Sequence, residues 1–366
     1  MYKKIYLDAP NVGTLEKELL SKTIDSGYVS TVGPYVPELE RRIAKYLDVK
    51  KAVSTQSGTA AIHMALHELG VGGGDEVIVP ALTFVATVNP VVYVGATPVF
   101  ADVNIDTWNI DPGNIEKVIT KKTKAIIPVH LYGNPCNMDA IMRIAGKYGL
   151  YVIEDATESL GAKYKDKHTG TFGDFGCFSF NGNKIITTGG GGMITGNNGR
   201  KISHVKMLVN QARDEGKEYY HPEVGFNYRM TNIEASLGLG QMEKLDDFLA
   251  KKKKFNTIYR EELKDMEFVR FQQECGDGES SWWLSCVVFG KGIDIAGLQE
   301  KLKEKGIPTR RVFPPVVEFP PYRSHKHAGY ENSYHIYEGA LCLPSSTLNS
   351  ADDIHYVCEK MKGSFR

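Results

Sequence analysis

From residue 36 to about residue 200, short β-branched runs alternate with segments whose apolar positions recur three and four residues apart. This pattern predicts helices over residues 36–47, 59–69, 112–119 and 138–148, and strands over residues 76–79, 97–101, 125–129, 151–154 and 176–180. Strands that alternate with helices imply an α/β architecture with a mainly parallel sheet covered on both faces. Ligands of such sheets sit at the carboxyl ends of the strands, so chemistry is sought just after each apolar run.

Residues 77–101 carry no charge and are long enough to span a bilayer. Pro80, Asn89, Pro90, Gly95 and Pro98 would break a single helix there, so the stretch reads as a strand, a short helix and a second strand. Near residue 230 the pattern changes to one long polar helix, from residue 233 to about 263. Its lysines at 251–254 are flanked by Glu243, Asp246, Asp247, Glu261 and Glu262, which predicts a solvated face and not a nucleic-acid patch. A strand over 282–290, a helix over 295–305 and a Pro-rich loop over 306–321 follow. The expected division is a large α/β domain over residues 1–240 and a smaller α+β domain over residues 241–366. No internal repeat or low-complexity tract is evident.

A chain of 366 residues exceeds what one core of about 250–300 residues holds, which fits that two-part reading. Hydrophobic content of 42% with 24% charged residues predicts a packed interior. Lys+Arg and Asp+Glu both number 44, so no global charge draws the chain to nucleic acid or to an anionic membrane. Cys136, Cys177, Cys275, Cys286, Cys342 and Cys358 form no CxxC pair, and MYKKIYLDAP has no apolar run of the kind a signal peptide needs. Reduced thiols in a cytoplasmic enzyme are the expectation. His63 and His67 share one helix face, but no third ligand and no HExxH pattern accompany them. His325 and His327 lie in a polar loop, and no metal is expected.

Four segments carry candidate chemistry. In YVIEDATES, Asp155 closes a strand; a buried carboxylate there needs a cation or hydrogen-bond donors, although a helix N-cap is the plainer role for such an Asp. In FGCFSFNGNKIITTGGGGMI, Lys184 follows a strand ending at Ser179 and precedes glycines 189–192. A desolvated lysine on such a turn is nucleophilic, whereas a solvated one is an ordinary surface residue. In STQSGTAAIHMALHELG, Ser57, Gly58 and Thr59 open a helix whose free N–H groups and dipole suit a phosphate; capping alone would also explain Ser57. Phe84, in ALTFVAT, could stack on a flat ring or fill the core. The glycine run is not a P-loop, because GxxxxGK[ST] is absent, and the lack of GxGxxG near Gly58 argues against a dinucleotide-dependent dehydrogenase.

In this order, and with GFNYRMTNIEASLGLGQ, the segments resemble the sugar-nucleotide aminotransferases of the DegT/DnrJ/EryC1/StrS family, from about Asp8 to the C-terminus. The resemblance implies a fold type I enzyme that uses pyridoxal 5'-phosphate, works as a homodimer with shared sites and takes glutamate as amino donor. It implies that Lys184 binds the cofactor covalently and shuttles a proton, that Asp155 pairs with the pyridine nitrogen and that Glu158, a Gln in many relatives, lies near the ring hydroxyl. Ser57, Gly58, Thr59 and Ser179 would hold the phosphate, Asn227 would reach it from the neighbouring subunit, and Phe84 would stack on the ring. Dehydratase relatives carry His in place of that lysine, so Lys184 implies amino transfer. A non-catalytic sensor on the same fold would be expected to lose Lys184 or Asp155.

The wording SFNGNKIITTGGGGM is most similar to members that act at C4 of UDP-linked 4-keto-6-deoxy N-acetyl sugars, and next to GDP-perosamine synthases; dTDP-sugar 3- or 4-aminotransferases remain an alternative. Thr31, Arg229, Arg310, Arg311 and Glu318 are the candidate substrate contacts. RRVFPPVVEFPPY departs from relatives that often have a His near the position of Glu318.

Overall fold

The computed structural model describes residues 4–214, 216–326 and 329–365, so His327 lies outside the described residues. The strands are β1 (Lys51–Thr55), β2 (Glu76–Pro80), β3 (Thr97–Ala101), β4 (Thr123–Ile126), β5 (Tyr151–Asp155), β6 (Lys163–Tyr164), β7 (Lys167–His168), β8 (Phe175–Ser179), β9 (Gly192–Gly196), β10 (Val269–Phe271), β11 (Gly278–Glu279), β12 (Ser285–Phe289), β13 (Arg310–Arg311) and β14 (Ala340–Leu343). The helices are α1 (Thr14–Asp25), α2 (Tyr35–Leu47), α3 (Gly58–Glu68), α4 (Asn89–Tyr93), α5 (Pro112–Val118), α6 (Met138–Tyr148), α7 (Gly199–Leu208), α8 (Asn232–Met242), α9 (Leu245–Leu263), α10 (Ile295–Glu304), α11 (Glu331–Gly339) and α12 (Ala351–Gly363).

Seven strands form the main sheet in the order β1-β9-β8-β5-β4-β2-β3. From β8 through β5, β4 and β2 to β3 every pairing is parallel, as the helix-separated runs predict. β9 runs antiparallel to both its neighbours, β8 and β1. The chain from Ser179 to Gly192 has no crossover helix and so can only turn back. Lys184 sits in that return. Helices on both faces bury the central strands almost completely. Residues 77–101 form β2, a short 3₁₀ turn, α4 and β3, and no helix among the described residues is long and apolar enough to cross a membrane.

A second sheet, β10-β12-β14-β13, packs with α9, α10 and α12 around Phe255, Tyr259, Leu302, Leu341 and Val357. Ile5, from the opposite end of the chain, is buried in this second core. The expected single helix after residue 233 is two. α8 ends at Met242 and α9 starts at Leu245, with Lys244 between them at φ −108°, ψ −1°. α8 is not polar in packing either, because Ala235, Ser236, Gly238, Leu239, Gly240 and Gln241 are buried. The residue 240/241 boundary therefore falls inside α8. The lysine run also departs from expectation: Lys253 and Lys254 are exposed, whereas Lys252 is buried and donates to Trp283 O at 3.0 Å and Ser345 O at 2.9 Å. Burial pushes its ammonium down to about 8.

Candidate active site

A cavity of about 570 Å³ opens where the carboxyl ends of β5 and β8 meet the N-terminus of α3. Its floor comes from the large sheet: Ser57, Gly58, Thr59, Asp155, Glu158, Ser179 and Lys184 all line it, with Phe84 at its edge. Trp283, Arg310 and Phe313 wall it from the smaller unit.

Asp155, the last residue of β5, is 3% exposed. No helix follows it, so the N-cap reading is set aside. Its Oδ2 accepts from Thr87 Oγ1 at 2.7 Å and its Oδ1 from Thr157 N at 3.1 Å. Those donors keep a buried carboxylate oriented while its edge still lines the cavity. At α3, Ser57 Oγ caps the helix by accepting from Ala60 N at 3.1 Å, and the residue also lines the cavity. The first N–H groups of α3 have no intrahelical acceptor and add the positive end of the helix dipole. Close packing requires glycine here. A Cβ at residue 58 would lie 2.7 Å from Thr157 Cγ2 and 3.0 Å from Ser179 Cβ, and one at residue 192 would lie 2.5 Å from the Ser57 carbonyl carbon.

Lys184 Nζ lies 3.7 Å from Glu158 Oε1 and 3.9 Å from the centroid of the Trp283 ring. Burial pushes the lysine below its ordinary range, against the opposing pull of Glu158. Burial likewise raises the Glu158 carboxyl, against Lys184 and the Tyr132 N–H that donates to Oε2 at 2.7 Å. Desolvation thus pushes both partners toward their uncharged forms, against the attraction between them. Phe84 is 52% exposed, which excludes the core reading, and its ring centre is 5.3 Å from that of Phe313.

Among the substrate candidates only Arg310 lines this cavity; its Nη1 pairs with Asp8 Oδ2 at 2.9 Å. Its neighbour Arg311 points to the opposite side, as successive strand residues do, and donates to Tyr337 O and to Glu338 O, the latter at 2.9 Å. Glu318 is outside the cavity, bound to Lys326 Nζ at 2.6 Å and to the Tyr334 hydroxyl. Thr31 and Arg229 also lie off the lining, and Asn227 is exposed opposite Asn210. Arg229 presents its carbonyl to Gln56 Nε2 at 3.0 Å, while its Nε is buried without a partner.

Several site residues were not anticipated. Thr87 carries no motif. Tyr132 takes a left-handed φ of 57°, and through it the two halves of the site touch: its N–H binds Glu158, and its OH accepts from Phe313 N at 3.0 Å. Its ring stacks between those of Trp283 and Phe313. His63 bonds to the Tyr228 hydroxyl at 3.2 Å, and both it and His67 pack edge-on against Phe226. All six cysteines are free thiols.

A sequence model of the DegT/DnrJ/EryC1/StrS aminotransferase family matches residues 10–362. The GDP-perosamine synthase of Escherichia coli O157:H7 is 39% identical over 359 residues, which cover 98% of this chain and 98% of that protein. The GDP-perosamine synthase of Caulobacter vibrioides is 42% identical over 322 residues, 87% of each. The solved PLP form of the candidate sugar aminotransferase Spr1654 from Streptococcus pneumoniae matches with a TM-score of 0.93 at 29% identity, covering 99% of this chain and 98% of that one.

Proposed function

The chain belongs to the DegT/DnrJ/EryC1/StrS aminotransferase family, with the fold type I architecture, and from that premise we propose that it moves an amino group from glutamate to C4 of a nucleotide-linked 4-keto-6-deoxy sugar. The observation that carries this reading is a desolvated Lys184 amine in one cavity with the hydrogen-bonded Asp155 carboxylate and the N-terminus of α3.

These residues fit pyridoxal 5'-phosphate, which when bound supplies an electron-withdrawing ring and the carbon that carries nitrogen between substrates. Asp155 would keep its ring nitrogen protonated, and Glu158 would face its hydroxyl. Ser57, Gly58, Thr59 and Ser179 would hold its phosphate, Phe84 would cover its face, and Lys184 would bind it covalently. Lys184 Nζ, which burial pushes below its ordinary range, would also move the proton at the reacting carbon. Arg310 and Lys184 are the cationic side chains that line the cavity among the described residues, so Arg310 meets the anionic part of the substrate. Asn227, Arg229 and Thr31, which lie off their own chain's cavity, serve a second copy's cavity in a homodimer.

The two perosamine synthases favour GDP as the nucleotide. The wording of the Lys184 segment supports UDP as the second reading. A panel of GDP-, UDP- and dTDP-linked 4-keto-6-deoxy sugars, assayed with glutamate, separates them. Amination of the GDP sugar at C4 is expected, and turnover only at C3 refutes the regiochemistry.

A further inference from the structure

The first described residues reach the active site from the far end of the chain. Tyr6 N donates to Asn349 Oδ1 at 2.9 Å, Asn349 Nδ2 returns to Tyr6 O at 2.7 Å, and Ser346 Oγ donates to Ala9 O at 2.7 Å. Between these pins lies Asp8, whose side chain is 18% exposed. Its Oδ2 pairs with Arg310 Nη1 at 2.9 Å and accepts from Asn183 Nδ2 at 3.0 Å. One carboxylate oxygen thus touches both the cavity's guanidinium and the residue next to Lys184.

The contacts close on themselves. Ser345 N donates to Leu7 O at 2.7 Å. The buried ammonium of Lys252 joins Ser345 O to Trp283 O, at 2.9 and 3.0 Å. Trp283, over which Lys184 lies, donates its Nε1–H to Asn183 O at 2.7 Å, and Asn183 returns to Asp8. This ring ties the N-terminal segment, the stretch that follows β14, α9 and Trp283 to the turn that bears Lys184. Hydrogen bonds linked in this way restrain one another more than isolated ones do.

We propose that Asp8 is a positioning residue of the active site: it binds one donor of Arg310, aims the remaining N–H groups at the anionic substrate, and holds the Asn183–Lys184 turn through Asn183. A guanidinium has five donors in a rigid fork, so fixing one of them orients the rest. This inference rests on the reading that Arg310 meets the anionic part of the substrate. An amide at position 8 keeps an acceptor for Asn183 but loses the charge; a methyl loses both.

The test uses the holoenzyme, with GDP and UDP as calorimetric probes beside steady-state kinetics and melting temperature. Asp8→Asn is expected to raise the Kd of the bound nucleotide and the KM of its sugar about tenfold with kcat nearly kept, and Asp8→Ala to lower kcat as well. Melting temperatures should stay within about 2 °C, since such a partly exposed pair adds little to stability. On an Arg310→Ala background the Asp8→Asn effect on binding should vanish. Wild-type nucleotide binding in Asp8→Asn while Arg310→Ala is impaired overturns the role of Asp8 alone. So does an equal loss in both backgrounds, or a loss matched by a fall in melting temperature. Wild-type binding in Arg310→Ala overturns the reading of Arg310 and the proposal with it.

Discussion

The floor and the wall of the cavity are built by different rules. Three floor residues stand where a strand ends or a helix begins: Asp155 closes β5, Ser179 closes β8, and Ser57 caps α3, while Glu158 and Lys184 lie in the turns that follow β5 and β8. Chain direction alone brings such ends together, because all strands of a parallel run point their carboxyl ends to one side. The wall belongs to an antiparallel sheet and its loops. There, a shift of one residue reverses the face that a side chain shows, so Arg310 enters the cavity while Arg311 secures the end of α11. Chemistry held by strand ends can be located from sequence; selectivity held by alternation in a two-residue strand cannot.

The largest expected effects fall on the floor. Lys184→Ala should lower turnover about 10³-fold or more, and Asp155→Asn about 10²-fold, measured at saturating substrate. If either retained near-wild-type kcat, the floor would not be where the chemistry occurs. The arginine pair sharpens the contrast. Arg310→Ala should raise the nucleotide-sugar KM more than about tenfold, whereas Arg311→Ala should leave KM within about twofold and reduce unfolding free energy by about 1 kcal/mol. Equal KM effects at the two positions would remove the distinction by strand face.

A smaller change is expected from Glu158→Gln. Glu158 raises the Lys184 amine against the dominant lowering by burial. Its removal lets the lysine fall further, so the acid limb of the rate profile should move to lower pH. A move to higher pH would contradict the pairing across 3.7 Å. The smallest effect lies outside both regions, at His204 on α7, which binds Glu68 at 2.5 Å and Glu223 at 2.7 Å. Burial pulls its imidazole down, but the two carboxylates outweigh it and the net direction is upward. The native state therefore holds the proton more tightly than the unfolded chain. That stability is complete below the ordinary histidine range and is lost as pH rises through the raised native value. His204→Gln should cost about 0.5 kcal/mol near about pH 6 after solvent screening, with the difference closing by about pH 9 in denaturant titrations.

The parallel core was legible because buried strands read as short β-branched runs and the helices between them carry a clear period. β1 and β9 were missed: β1 includes Lys51 and two hydroxyl residues, and β9 begins and ends in glycine, so neither shows an apolar run. The division between α8 and α9 escaped because residues 243 and 244 are helix-compatible and only packing separates the two helices. Around the site, Lys184, Asp155 and Ser57 to Thr59 stood in recognisable segments. Thr87, Tyr132, Trp283 and Asp8 did not. Their roles depend on partners up to hundreds of positions away, as with Asp8 and Arg310, and no local pattern encodes such a pairing.

Lys184 as the covalent holder of the cofactor is tested most directly by borohydride reduction of the purified protein followed by peptide mapping. A yellow protein is expected, whose colour is lost on reduction and whose Lys184 peptide alone gains the mass of a pyridoxyl phosphate group. A protein that stays colourless when supplied with cofactor, or one that carries the added mass on another lysine, would contradict the assignment.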